Sequence, residues 1–230
     1  MKVLVTRPLE DSRETARQLA ARGHECLIAP LLTVRFEDGP PLSLEGIQAI
    51  LATSANGVRA LARRSDRRDI ALFAVGPQTA QEAVAAGFTA IRNADGDAHR
   101  LSKAAAEWAR PEAGPLLHVH GGQGAGALAA GLRRRDFTVK EEILYGVEPK
   151  PLSPEALAAV KHHKLDAALF FSPRSAQIFR DFALQEKLDV SALTAICISS
   201  STALSLEPLA FAKTRVAAAP NQDALLECLE

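Results

Sequence analysis

The stretch Ala49-Ile50-Leu51-Ala52-Thr53-Ser54-Ala55-Asn56-Gly57 decides the fold, because its design returns as Ala167-Ala168-Leu169-Phe170-Phe171-Ser172-Pro173-Arg174-Ser175. Each is a short apolar run that ends in small hydroxyl residues and opens a helix-like segment. A run apolar on both faces suits a parallel strand covered on both sides by crossover helices. Two related turns follow, Val75-Gly76-Pro77-Gln78-Thr79-Ala80 and Ile198-Ser199-Ser200-Ser201-Thr202-Ala203. Ser, Thr and Asn accept the first N–H bonds of a helix, so each turn has a ready reading as a helix cap. A helix start also gathers backbone N–H groups that lack partners within the helix. Such a place holds an anion without a basic side chain. Four such turns in one chain point to a ligand with several negative charges.

Working outward, apolar runs at 2–6, 25–30, 47–53, 70–75, 88–92, 115–120, 137–145, 166–171, 194–199 and 214–218 read as strands. Helical patterns fill 11–22, 56–64, 78–86, 99–109, 125–134, 154–163, 174–185, 201–208 and 222–229. Ten strands exceed an ordinary sheet, so two domains are expected. Two proline-rich passages mark the division, Glu37-Asp38-Gly39-Pro40-Pro41 and Val147-Glu148-Pro149-Lys150-Pro151. Proline donates no ladder bond and stiffens a linker. Residues 42–146 form the inserted domain, 1–35 plus 150–230 form the discontinuous one, and 36–41 and 147–149 are the linkers. An internal repeat supports the division. Segments 49–88 and 167–211 share one order of elements, and 2–35 and 116–147 share another. The fold class expected is α/β, with two similar domains of parallel sheet flanked by helices and a two-stranded hinge above a cleft.

Apolar residues make up 47% of the 230 residues, which speaks against disorder, and no apolar run reaches the length of a membrane span. Basic and acidic residues balance at 27 each, which excludes the basic face that bulk nucleic-acid binding needs. Met1–Pro8 reads as a strand entering a turn and lacks the apolar core and cleavage site of a signal peptide. Cys26, Cys197 and Cys228 are odd in number and far apart, so they read as reduced core thiols of a cytoplasmic protein.

Several other residues have a chemical reading. Gly122-Gln123-Gly124-Ala125-Gly126-Ala127 imitates a dinucleotide fingerprint, with Glu142 lying 20 residues past Gly122. It sits in the third strand-loop-helix unit of its domain, and its acidic residues lie in mid-strand, which argues against a cofactor. His118 and His120 share one face of a strand, but no Cys, Asp or Glu at ligand spacing accompanies them, so no metal is expected. Tyr145 is the sole tyrosine and lies just before a linker, where it borders the cleft. Arg7, in Thr6-Arg7-Pro8, and Arg174, in Ser172-Pro173-Arg174-Ser175, sit at strand ends where they could meet an anion.

Taken in order, these motifs resemble those of uroporphyrinogen-III synthases over nearly the whole chain. The resemblance runs through Val3-Leu4-Val5-Thr6-Arg7-Pro8, Pro30-Leu31, Thr53–Val58, Val75–Ala80, Tyr145, Phe170–Ala176 and Ile198–Ala203. The chain departs from the family pattern at His118-Val119-His120-Gly121-Gly122, where many members carry Arg and Gly-Asp, and at Ser199-Ser200-Ser201, where Gly or Pro is commoner.

The resemblance implies two flavodoxin-like domains and a cofactor-free hydro-lyase of tetrapyrrole (heme) synthesis, a cytoplasmic monomer. Its substrate, hydroxymethylbilane, is a linear tetrapyrrole with eight carboxylates. The enzyme removes water and closes the ring with the last pyrrole inverted, giving uroporphyrinogen III. Left alone, the substrate closes without inversion, so the protein's work is mainly positional. The resemblance casts Tyr145 and Thr202 as catalytic. For substrate binding it points to Arg7, Thr53, Ser54, Asn56, Gly57, Gly76, Thr79, Ser172, Arg174, Ser175 and Ser199. Competing readings are a two-domain binding protein for an anionic metabolite and a nucleotide-dependent oxidoreductase using Gly122–Ala127.

Overall fold

The computed structural model describes residues 1–122 and 126–230. The chain opens with β1 (Lys2–Val5), α1 (Leu9–Ala21), β2 (Glu25–Ile28) and β3 (Leu32–Phe36). Next come β4 (Ala49–Ala52), α2 (Ala55–Arg64), β5 (Ala71–Ala74), α3 (Pro77–Ala85), β6 (Ile91–Asn93) and α4 (Ala98–Trp108). They are followed by β7 (Leu116–His120), α5 (Gly126–Arg133), β8 (Val139–Ile143) and β9 (Tyr145–Pro149). The remainder is α6 (Pro154–Lys161), β10 (Ala167–Phe170), α7 (Pro173–Gln185), β11 (Thr194–Cys197), α8 (Ser200–Leu204), β12 (Lys213–Val216) and α9 (Gln222–Glu227).

Two compact units result, one of Met1–Thr33 with Glu148–Glu230 and one of Val34–Val147. The first holds a five-stranded sheet in the order β12-β11-β10-β1-β2, and the second one in the order β6-β5-β4-β7-β8. Every pairing within the two sheets is parallel. The orders superimpose when β4, β5, β6, β7 and β8 are matched to β10, β11, β12, β1 and β2. This is the internal repeat of the sequence in three dimensions, and in the first unit it gives the flavodoxin-like order 2-1-3-4-5.

Alternation along each strand supplies two cores per unit. In the first unit Leu4, Ala168, Phe170, Ala195 and Cys197 pack on one face, where Phe170 meets Phe179 edge-on at 5.1 Å between centroids. Val3, Val5, Ala167, Leu169 and Ile196 pack on the other, with Leu19 and Leu225. In the second unit Ile50, Ala52, Leu72, Leu117 and Val119 share a face with Val58, Leu61 and Tyr145. Ala49, Leu51, Phe73 and Leu116 face Leu101, Leu128 and Leu132. Covering both faces explains why β4, β5 and β10 are apolar throughout rather than alternating with polar residues.

Some expected elements differ. The run 137–145 divides at Leu144, whose amide bonds the His120 carbonyl at 3.0 Å while its own carbonyl accepts from Glu37 at 2.9 Å. The chain there leaves β7 and begins to pair with β3, so β9 is a separate strand. Strands β3 and β9 form a two-stranded sheet of their own. Phe36 and residues 147–149, read from the sequence as linker, lie in these two strands. Pro149 closes β9, where a missing ladder donor costs least. The strand expected at 88–92 is the three-residue β6. The helix expected at 201–208 is the five-residue α8.

Candidate active site

Helix starts at the carboxyl ends of the central strands carry most of the chosen residues, and three of the four turns are capped in the same way. Ser54 (φ −160°) accepts the Gly57 amide at 3.0 Å, Ser172 (φ −161°) accepts that of Ser175 at 3.1 Å, and Ser199 (φ −158°) accepts that of Thr202 at 3.3 Å. Extended backbone at the cap aims each hydroxyl at the third helical amide. The fourth turn is different. Gly76 has no side chain to cap α3, which begins with Pro77. The start of α3 is therefore the one of the four that no side chain of its own cap residue covers.

Around β4 the turn becomes a small network. The Ser54 hydroxyl lies 2.7 Å from the Tyr145 hydroxyl, so one oxygen holds both the α2 cap and the phenol. Tyr145 is 8% exposed, and burial pushes its phenol pKa up, partly opposed by the Ser54 bond. The phenol stays protonated at neutral pH, as a proton donor requires. Two glycines make room for this arrangement. A Cβ on Gly121 would lie 2.6 and 2.7 Å from ring carbons of Tyr145, and one on Gly57 would lie 3.1 Å from the Val119 carbonyl. Thr53 points instead to His118 Nε2, 3.4 Å from its hydroxyl. Asn56 accepts from Arg59 at 2.9 Å, and Arg59 pairs with Glu82 at 2.6 Å, tying α2 to α3. Thr79 is buried on α3.

In the first unit the Ser172 and Ser175 hydroxyls sit 3.0 Å apart. Ser199 Oγ reaches both Ser201 Oγ and Thr202 Oγ1 at 3.0 Å, and Thr202 is fully buried. Arg174 occupies the first turn of α7, where a cation opposes the helix dipole and a bound anion would offset it. Arg7 is only 7% exposed. Its guanidinium reaches Gln222, Thr15 at 3.4 Å and Asp11 at 3.6 Å, and lies over the Phe171 ring at 4.2 Å. It therefore fastens α1 and α9 to the end of β1, and an incoming carboxylate has to compete with Asp11 for it.

The structure thus joins Ser54, Gly57 and Tyr145 in one set, Ser172 and Ser175 in a second, and Ser199 and Thr202 in a third. Sequence reading missed Gly121, whose lack of a side chain seats the Tyr145 ring. It also found no acidic partner for His118 and His120, and the structure corrects that expectation. Strand β8 lies parallel to β7 with His118 opposite Glu141, which brings the carboxylate to within 3.9 Å of His120 Nε2. Of the dinucleotide-like motif, Gln123, Gly124 and Ala125 lie outside the described residues.

Two parallel α/β units of matching strand order place the chain among the open-sheet α/β proteins, whose ligands generally sit at the carboxyl ends of the strands. The family model described as uroporphyrinogen-III synthase HemD matches residues 13–227. The chain belongs to the uroporphyrinogen-III synthase family, enzymes of tetrapyrrole (heme) biosynthesis. Its structure is similar to that of the uroporphyrinogen-III synthetase of Helicobacter pylori. That match has 19% identity and a TM-score of 0.66, over 100% of this chain and 98% of that one. A mutant uroporphyrinogen III synthase of Thermus thermophilus matches at 17% identity with a TM-score of 0.53, over 100% of this chain and 97% of that one. No curated protein sequence matches the chain. None of its helices, among the described residues, is long and apolar enough to cross a membrane.

Proposed function

We propose that this chain acts as a hydro-lyase that converts hydroxymethylbilane to uroporphyrinogen III, with Tyr145 as the proton donor. The observation that carries the assignment is the Ser54–Tyr145 contact of 2.7 Å, with burial keeping the phenol protonated. Ser54 Oγ already accepts the Gly57 amide, and its own proton is free to point at the Tyr145 oxygen. The phenol proton is then available to the departing hydroxyl, which leaves as water. The proton released when the attacking pyrrole regains its aromaticity restores the phenol, so the net change is loss of one water.

Carboxylates are taken by helix starts rather than by a basic surface, in keeping with a chain of zero formal net charge. The start of α3 at Gly76, which no cap side chain covers, is one of these seats, and Arg174 supplies a cation at α7. Thr53, Asn56 and Thr79 flank the seats in the second unit, and Ser172, Ser175, Ser199 and Thr202 flank those in the first. Arg7 acts mainly by holding the end of β1 in place. The reading includes a cytoplasmic monomer without a cofactor. The test is incubation with hydroxymethylbilane, followed by oxidation and separation of the porphyrin isomers. Type III product is expected, and type I alone would refute the assignment.

A further inference from the structure

We propose that His118, His120 and Glu141 form a binding site for a divalent first-row transition ion of the zinc class. One ligand atom from each of the three lies within 4.8 Å of the other two. The histidines are 0% and 7% exposed, and their rings stand 4.7 Å apart. Among the described residues, the buried side-chain nitrogens and oxygens without a hydrogen-bond partner are His118 Nδ1 and His120 Nε2. Two buried imidazole nitrogens left without partners beside a carboxylate are an unsatisfied donor set. Two imidazoles and a carboxylate suit zinc and its neighbours and leave a position open for water or another oxygen ligand.

The surroundings prepare two of the three ligands. Thr53 Oγ1 lies 3.4 Å from His118 Nε2, so that nitrogen can keep its proton by donating to the hydroxyl, which leaves the Nδ1 lone pair for the ion. Arg133 bonds Glu141 Oε2 at 2.7 Å and leaves Oε1 facing His120. His120 has to change. The Gly122 amide donates to its Nδ1 at 2.9 Å, which puts the ring proton on Nε2. An ion at Nε2 requires the proton on Nδ1, so the Gly122 amide must withdraw. Gly122 is exposed and at φ +83°, a turn glycine whose movement leaves β7 intact. Binding is thus coupled to the turn that follows His120, a feature that ligand geometry alone would not suggest. The site does not depend on the ring-closing assignment.

The experiment uses tag-free protein and titration with cobalt(II) and zinc(II) salts. Cobalt should bind at a single equivalent with the visible bands of four- or five-coordinate nitrogen and oxygen ligation, and zinc should displace it. Glu141→Gln and His120→Asn should each weaken binding by about tenfold or more, with an unchanged far-ultraviolet spectrum. Glu141 is on the sheet edge with its side chain 27% exposed, so its variant keeps the test valid if a histidine variant fails to fold. The Gly122 amide resonance should shift on zinc addition. If the proposal were wrong, stoichiometric binding would be absent, or as tight in both variants as in the unaltered protein. A near-ultraviolet thiolate band would also overturn it, since it would assign the ion to cysteine.

Discussion

Tyr145→Phe removes one oxygen and leaves the ring in the place that Gly121 makes for it. The structural loss is the contact of 2.7 Å to Ser54, whose oxygen retains the Gly57 amide at 3.0 Å. A neutral hydrogen bond of this kind contributes about 1 kcal/mol. For a chain of this size that lowers Tm by about 2–4 °C, so the variant remains folded at assay temperature. The catalytic loss is larger. A positioned general acid contributes roughly 10²–10⁴ in rate. At about 1.36 kcal/mol per decade the barrier rises by roughly 3–5 kcal/mol. The expected variant therefore has kcat reduced about a hundredfold or more and KM nearly unchanged, since the helix starts proposed to bind carboxylates are untouched. The assay follows type III and type I porphyrins after oxidation, and in slow enzyme the uncatalysed type I isomer should accumulate. Full-rate type III formation by Tyr145→Phe would end the proton-donor reasoning, whatever its effect on stability. Ser54→Ala perturbs support and chemistry together. It keeps the phenol but loses its partner and the α2 cap, so a smaller fall in kcat and a stability loss of about 1 kcal/mol are expected.

Other perturbations probe the surrounding structure. Gly121→Ala pushes a methyl to 2.6 Å from the Tyr145 ring and should cost about 1–3 kcal/mol by overpacking, measured by urea unfolding, with activity lost in step. Titrating the one tyrosine by ultraviolet difference absorbance should show ionisation above its ordinary 10.0 in folded protein and near it in urea. The sign follows from linkage: Tyr145 contributes stability fully below its unfolded pKa, and loses it as pH rises through the folded value. Ser172→Ala should lower stability by about 1 kcal/mol through loss of the α7 cap, and an unchanged melting curve would contradict that role. Burial pushes the thiols of Cys26 and Cys197 up to about 11 and about 12, so at pH 8 both should react with maleimide far more slowly in folded than in unfolded protein.

The fold was legible wherever one short stretch carries both strand and stop. The helix expected at 174–185 is Pro173–Gln185 and that at 56–64 is Ala55–Arg64, because the capping serine and the apolar run before it are local signals. The repeat was legible for the same reason, and the matching sheet orders follow from it. What escaped were features set by pairing between distant segments. Nothing near Leu144 in sequence says that its amide serves β7 while its carbonyl serves Glu37, so one long strand was expected where two occur. Glu141 likewise meets His118 only through the parallel register of β7 with β8, which no ligand spacing within one segment reveals.

The same distinction changes the meaning of the four turns. From sequence they are equivalent, each a hydroxyl or glycine turn before a helix. In the structure, Ser54, Ser172 and Ser199 each commit an oxygen to the third amide of their own helix, so at those places a carboxylate meets amides already partly satisfied. Gly76 commits nothing, and its helix starts with proline, which has no N–H to offer. The backbone donors there begin one residue later, at Gln78, as they do at Arg174 behind Pro173 in α7, whereas α2 and α8 offer theirs from Ala55 and Ser200. Ser54 differs from the other two seryl caps in a second way. Its oxygen also holds the phenol, so at β4 a cap substitution removes the partner of Tyr145 as well, whereas at β10 and β11 it removes only the cap and its neighbouring hydroxyl bonds. A cap substitution at Ser54 should therefore move kcat, and one at Ser172 should move stability and substrate affinity. The turn whose cap substitution changes kcat marks where the chemistry takes place.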